Sequence, residues 1–208
     1  METTSGFMEG LYRACDWIMK LTILNILWIS FSLLGLILFG IFPATAAMFA
    51  VVRKWAMAEM DVSIFQTFWQ SYKKEFVKGN LLGAIITICS IVLYIDFHFL
   101  QVATNSAIKM LFIPFWIIVF LFICTLFYVF PMFVHYNMKI REVLKNSFFI
   151  MVMNPLRTLI MLVSSGGLVF LLTFAPPLMI VCSGNVLALA MMKPAYNAFE
   201  KINRHHTN

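Results

Sequence analysis

Thirty-two consecutive residues, Leu21 to Val52 (LTILNILWISFSLLGLILFGIFPATAAMFAVV), carry no charge and end against the basic pair Arg53-Lys54. A hydrocarbon layer of about 30 Å is crossed by about 20 apolar residues of helix, so this run spans a membrane with residues to spare. Lys and Arg accumulate on the cytoplasmic side, which assigns the Arg53-Lys54 end there. Pro43, three residues after Gly40, predicts a kink in one continuing helix. Ala44, Ala46, Ala47 and Ala50 are small enough to admit a close neighbour.

The rest of the chain fits that solvent. Of 208 residues 62% are hydrophobic and only 12% are charged, about half the charge of an ordinary soluble domain. Mean hydropathy is +0.91. The net charge of +6 comes from clustered Lys and Arg. It is therefore assigned to membrane orientation, and nucleic acid is not an expected partner. Cys15, Cys89, Cys124 and Cys182 are too far apart in sequence for a CxxC or zinc spacing, so inert thiols are expected. Ala44-Thr45-Ala46 has the look of a signal-peptidase site. However, the apolar run before it exceeds a signal h-region and Glu9 and Asp16 precede it, which predicts a retained anchor.

Periodicity organises the remainder. Phe7, Leu11, Cys15 and Ile18 recur at helical spacing in an amphipathic lead-in, followed by a first span over Leu21–Phe42. In Ser63–Lys78, Ile64, Phe65, Phe68, Trp69, Tyr72 and Phe76 occupy one helical arc, and Lys73, Lys74 and Lys78 lie outside it. Such a helix is expected to lie on the cytoplasmic leaflet or to dock a partner through Phe65, Phe68, Trp69, Tyr72, Lys73 and Lys74. Further spans are expected over Gly79–Ile95 and Met110–Val134. Two more short ones are expected within Thr158–Met192, turning at Pro176-Pro177. A second amphipathic helix, 139–153, ends at Asn154-Pro155 because the residue before proline is driven out of the α region.

The expected fold is thus all-α, a single integral membrane domain over 1–208. It is a polytopic bundle of about five spans with cytoplasmic amphipathic helices and a cytoplasmic C-terminus. Five spans place twelve Lys and Arg inside and three outside. A tight hairpin within Leu21–Val52 would give six spans and a 14-to-1 distribution, but it leaves 32 residues for two crossings, and length favours five. A weak internal repeat, 21–100 against 110–175, is suggested by two Phe-Pro pairs (Phe42-Pro43 and Phe130-Pro131), each preceding an amphipathic helix and a span.

Chemistry-bearing residues are few. Asp96 is the one acid in or at the end of an expected span, placed near the outer interface and within reach of Lys109. Asn25, Asn185, Ser164, Ser165, Gly166 and Gly167 are polar or small points in apolar runs, suited to interhelical hydrogen bonds or to a cavity, as is Ser183-Gly184-Asn185. His98 and His135 fall at opposite ends of their spans, and His205-His206 lies in a polar tail. There is no HExxH, GxSxG or Walker loop, so no catalytic residue, metal or cofactor is expected.

Several segments carry a likeness: Gly10-Leu11-Tyr12-Arg13 with Asp16-Trp17, then Leu24-Asn25-Ile26-Leu27-Trp28. Gly40-Ile41-Phe42-Pro43-Ala44-Thr45-Ala46-Ala47 and Val51-Val52-Arg53-Lys54-Trp55 follow, and Phe65, Phe68, Tyr72-Lys73 and Phe76 continue it. They resemble the YesL family of uncharacterised integral membrane proteins of Gram-positive bacteria. The likeness is strongest over residues 7–90, and its fingerprint includes Pro43, Ala44, Thr45, Ala46, Arg53 and Lys54. Such proteins tend to be encoded beside carbohydrate-uptake and polysaccharide-degradation genes. The resemblance implies a non-enzymatic accessory or scaffold component in a bacterial plasma membrane, partnered with ABC sugar importer subunits. The alternative is a small-solute transporter or channel built from two related halves, with a polar cavity near Asn25, Asn185 and Ser164–Gly167.

Overall fold

A computed structural model describes residues 2–102, 109–174 and 176–207, with side chains described for 8–102, 109–174 and 184–200. All its elements are helices: α1 (Glu2–Leu34), α2 (Ile41–Ala56), α3 (Ile64–Val102), α4 (Phe112–His135), α5 (Ile140–Met153), α6 (Pro155–Phe174) and α7 (Pro176–Thr207). Among the described residues, four stretches, Met8–Leu34, Ile64–Val102, Phe112–His135 and Pro155–Phe174, are long and apolar enough to cross a membrane. The long apolar run 158–192 divides at the prolines, as its length requires.

The run 21–52 is not one kinked span. Helix α1 continues unbroken from the polar N-terminal segment to Leu34, the chain turns over 35–40, and α2 returns antiparallel beside it. Trp17 meets Trp55 edge to face, with centroids 5.6 Å apart, and Trp28 Nε1 donates to Thr45 Oγ1 at 3.1 Å. Two glycines make the turn possible. A Cβ on Gly35 would lie 2.3 Å from Gly40 Cα, and one on Gly40 would lie 2.3 Å from the Ser32 carbonyl oxygen. Leu36 and Ile37 take φ of 56° and 62°, the left-handed region that costs an L-residue about 1–2 kcal/mol. Every backbone N–H from Gly35 to Ile41 nevertheless donates to a carbonyl within 31–37. A turn that satisfies its own donors needs no water, so it can be built from leucine and isoleucine in an apolar setting. Proline does not kink a through-helix here; Pro43 sits in the first turn of α2, where its missing N–H costs nothing.

Helix α2 is the centre of the molecule and packs against α1, α3, α4 and α7. Ala44, Ala47, Met48, Phe49, Val51, Val52 and Trp55 join Leu24, Phe68, Tyr72, Ala188 and Met192 in one buried cluster. Ala46, from another face of the same helix, joins Leu82, Tyr128, Met132, Met161 and Phe199 in a second. At 16 residues, α2 is about 24 Å long by the standard rise, shorter than a hydrocarbon layer. The approach to α3 is close: a Cβ on Gly79 would lie 3.3 Å from Pro43 Cα and one on Gly83 only 2.1 Å from the Phe42 ring.

Helix α3 also departs from expectation. The amphipathic segment 64–78 is not a separate surface helix but the first part of a 39-residue helix, about 58 Å long, that continues through the apolar segment. Helices α5 and α6 follow the expected pattern, a 14-residue amphipathic helix stopped at Asn154-Pro155 and then a span. The two Phe-Pro pairs occupy opposite ends of their helices, Pro43 at the start of α2 and Pro131 near the end of α4.

Candidate functional site

The polar features gather where α2 and α4 end and α3 and α5 begin. Arg53, in the last turn of α2, donates from Nη1 to the carbonyls of Val134 (2.7 Å) and His135 (3.4 Å), the last residues of α4. A cation there satisfies acceptors that a helix C-terminus leaves open and opposes the dipole. Lys54 Nζ reaches Thr67 Oγ1 at 3.5 Å, and Lys78 Nζ donates to Asn137 Oδ1 at 3.3 Å, tying α3 to the α4–α5 connection. The His135 ring packs among Tyr136, Tyr196 and Phe199, with centroids 4.6–5.7 Å apart. Helix α5 starts at this end, where Lys139 N donates to Glu142 Oε2 at 3.3 Å.

The fingerprint residues are accounted for by packing. Pro43, Ala44 and Ala46 are buried on α2, and Thr45 Oγ1 donates back to Ile41 O at 2.7 Å while accepting from Trp28. Among the polar residues of the apolar runs, Asn25, Asn185 and Ser165 are likewise enclosed, while Ser164 is half-buried and Gly166 and Gly167 are exposed. Asn185 is fully buried, its Nδ2 donates to Leu21 O, and its Oδ1 accepts from Val186 N at 2.9 Å. Asn25 is buried on α1 beside Gly184, whose added Cβ would lie 3.7 Å from Asn25 Oδ1. Ser165 is buried on α6, and Ser164 Oγ donates to Met161 O at 3.2 Å. Asn25 and Asn185 therefore come together, in a packed contact between α1 and α7.

Asp96 is exposed on α3 and forms no ion pair with Lys109. His98 is also exposed, well away from the His135 cluster in sequence and setting. The side chains of Cys182, Ser183, His205 and His206 lie outside the described residues. No group of three or more His, Cys, Asp or Glu side chains suited to a metal is found among the described residues.

The aromatic arc of α3 splits in two. Phe68 (0% exposed) and Tyr72 (8%) are core residues packed on Phe31 at 5.3 and 5.1 Å, with Tyr72 Oη donating to Phe31 O at 3.3 Å. Phe65 (56%), Trp69 (37%) and Phe76 (36%) remain accessible, Trp69 with one side against Phe31 at 5.3 Å, and Lys73 Nζ stands 4.6 Å from the Trp69 ring centroid with Lys74 exposed nearby. The expected docking face is thus narrower than its periodicity suggested, because α1 covers Phe68 and Tyr72.

A polytopic helical membrane protein whose polar residues cap and join helices is the class this arrangement defines. The chain belongs to the family described as "Protein of unknown function, DUF624", whose model matches residues 21–97 and whose membership its near-full-length relatives support. It is 39% identical to the uncharacterised protein YteU of Bacillus subtilis (strain 168), over 96% of this chain and 90% of that one. It is 38% identical to YesL of the same organism (94% and 92%), and 36% identical to YesV (99% and 98%), both likewise uncharacterised. No solved structure matches.

Proposed function

We propose that this protein is a non-enzymatic accessory or scaffold subunit, resident in a bacterial plasma membrane with its basic end and C-terminus cytoplasmic. Its partner would be an ABC-type importer of oligosaccharides. The observation that carries this reading is the exposed Phe65–Trp69–Lys73 face at the basic end, held in place by Phe68 and Tyr72, which are locked into the core at the adjoining edge of the same arc. A rigidly mounted aromatic pair beside a cation is a suitable anchor for a partner, because aromatic residues carry large contact area at small entropic cost. The family context of carbohydrate-uptake genes supplies the partner class. The transport alternative needs a polar cavity at Asn25, Asn185 and Ser164–Ser165, and the burial of Asn25, Asn185 and Ser165 gives it no support.

The test is a pull-down of the tagged protein in mild detergent from its host grown on a plant polysaccharide, with mass spectrometry of what accompanies it. Stoichiometric recovery of a permease or ATPase subunit, lost in the Phe65→Ala/Trp69→Ala variant, is the expected result. Recovery of the protein alone would overturn it and direct attention to solute flux in proteoliposomes.

A further inference from the structure

Two cavities on the α3–α4–α5 side of the bundle adjoin and differ sharply in chemistry. The first, about 1040 Å³, opens at the basic end and is edged by Lys78, Lys139, Arg141 and Lys145. Its one carboxylate, Glu142, accepts from the Lys139 backbone N–H and stands against four cations, so the cleft presents a net positive charge. The second, about 340 Å³, runs from it between α3 and α4, and Ile85 and Leu144 line both. Its walls are aliphatic and aromatic apart from Cys89 and Thr125, and the Thr125 hydroxyl donates to Leu121 O at 2.7 Å. A basic recess leading into an apolar groove is complementary to an amphiphile with an anionic head and a hydrocarbon tail.

We propose that this composite cleft binds one anionic phospholipid, its phosphate among Lys78, Arg141 and Lys145 and an acyl chain along Ile85, Cys89 and Phe122. Each Lys or Arg near an anionic headgroup strengthens the attraction several-fold. The groove adds apolar contact that a soluble phosphate could not use. A free phosphorylated solute would fill only the first cavity, whereas the continuity of the two fits a lipid. The occupant is the same whether or not the protein serves an importer.

Native mass spectrometry of the full-length protein in mild detergent tests this, with phosphatidylglycerol and phosphatidylcholine of identical chains as the probes. One phosphatidylglycerol should be retained about tenfold more strongly than phosphatidylcholine. That preference should vanish in Lys78→Gln/Lys145→Gln and persist in Lys73→Gln/Lys109→Gln, which removes the same charge elsewhere. Cys89→Trp, at an exposed position that places bulk in the groove without entering the core, should weaken retention of the lipid while leaving thermal unfolding unchanged. Equal retention of the two lipids, or wild-type retention in either site variant, would overturn the proposal. So would displacement of the lipid by equimolar glycerol phosphate, which would identify a soluble phosphorylated ligand instead.

Discussion

Arg53 Nη1 lies 2.7 Å from the carbonyl oxygen of Val134, so the end of one central helix closes the end of another 81 residues away. Replacing Arg53 by Met keeps most of the stem but removes the donor, leaving the α4 carbonyls without it. A hydrogen bond from a charged donor is worth about 1.5–3 kcal/mol. Arg53→Met should lower thermal stability in detergent by that order, and Arg53→Lys, which supplies a single ammonium, should recover part of it. Unchanged melting of both variants would show the contact to be energetically idle.

The close approach of α2 and α3 makes a second prediction. A methyl at position 83 cannot coexist with the present Phe42 ring, 2.1 Å from where it would stand. Overpacking of this kind costs about 1–3 kcal/mol. Gly83→Ala should therefore destabilise the protein, while Phe42→Leu/Gly83→Ala should be less unstable than the two single losses added together. Strict additivity in the cycle would place the Phe42 ring apart from residue 83.

Ile37 holds φ at 62°, a conformation that a β-branched residue rarely adopts, and its side chain is exposed at the tip of the α1–α2 turn. Ile37→Gly should relieve the backbone at little loss of packing. The added freedom of glycine in the unfolded chain offsets part of this, leaving a gain of about 1 kcal/mol or less. A rise in the unfolding temperature is the expected signal, and a clear fall would contradict the strained geometry.

Asn185 donates to the Leu21 carbonyl from a fully buried position. In membrane proteins such interhelical bonds contribute about 0.6 kcal/mol on average and up to about 1.7. Asn185→Leu should thus cost about 1 kcal/mol in unfolding assays and leave solute permeability of proteoliposomes unaltered. A change in permeability with intact folding would revive a transport role for this residue.

Much of the architecture was legible in the chain, and each miss has a physical cause. The turn at 35–40 bears no Asn, Asp or Pro because its backbone donors are satisfied within the turn. The available signals were the pair Gly35 and Gly40, five residues apart, and the 14-to-1 distribution of Lys and Arg that a hairpin within Leu21–Val52 gives, which length outweighed. The continuity of α3 was hidden because Lys78-Gly79 reads as a boundary between an amphipathic and an apolar segment, yet Gly79 serves to admit Pro43 against an unbroken helix. Phe68 and Tyr72 share a helical arc with Phe65 and Trp69, and periodicity alone cannot say how wide the covering helix is.

Hydropathy, charge clustering and proline spacing determined by themselves that the chain is helical and membrane-embedded, that its basic residues collect at one end, and that helix 139–153 stops at Asn154-Pro155 before the apolar run Thr158–Met192, which divides at Pro176-Pro177. Those properties follow from local transfer and backbone energies, which each segment expresses alone. Tertiary structure decided that 21–52 folds back on itself, that α2 becomes the shared core of the bundle, and that Phe68 and Tyr72 of the aromatic arc are buried. It also decided that the basic cleft runs into an apolar groove. These depend on which surfaces meet, and at Gly79, Gly83 and Arg53 the deciding quantity is a contact between residues far apart in sequence.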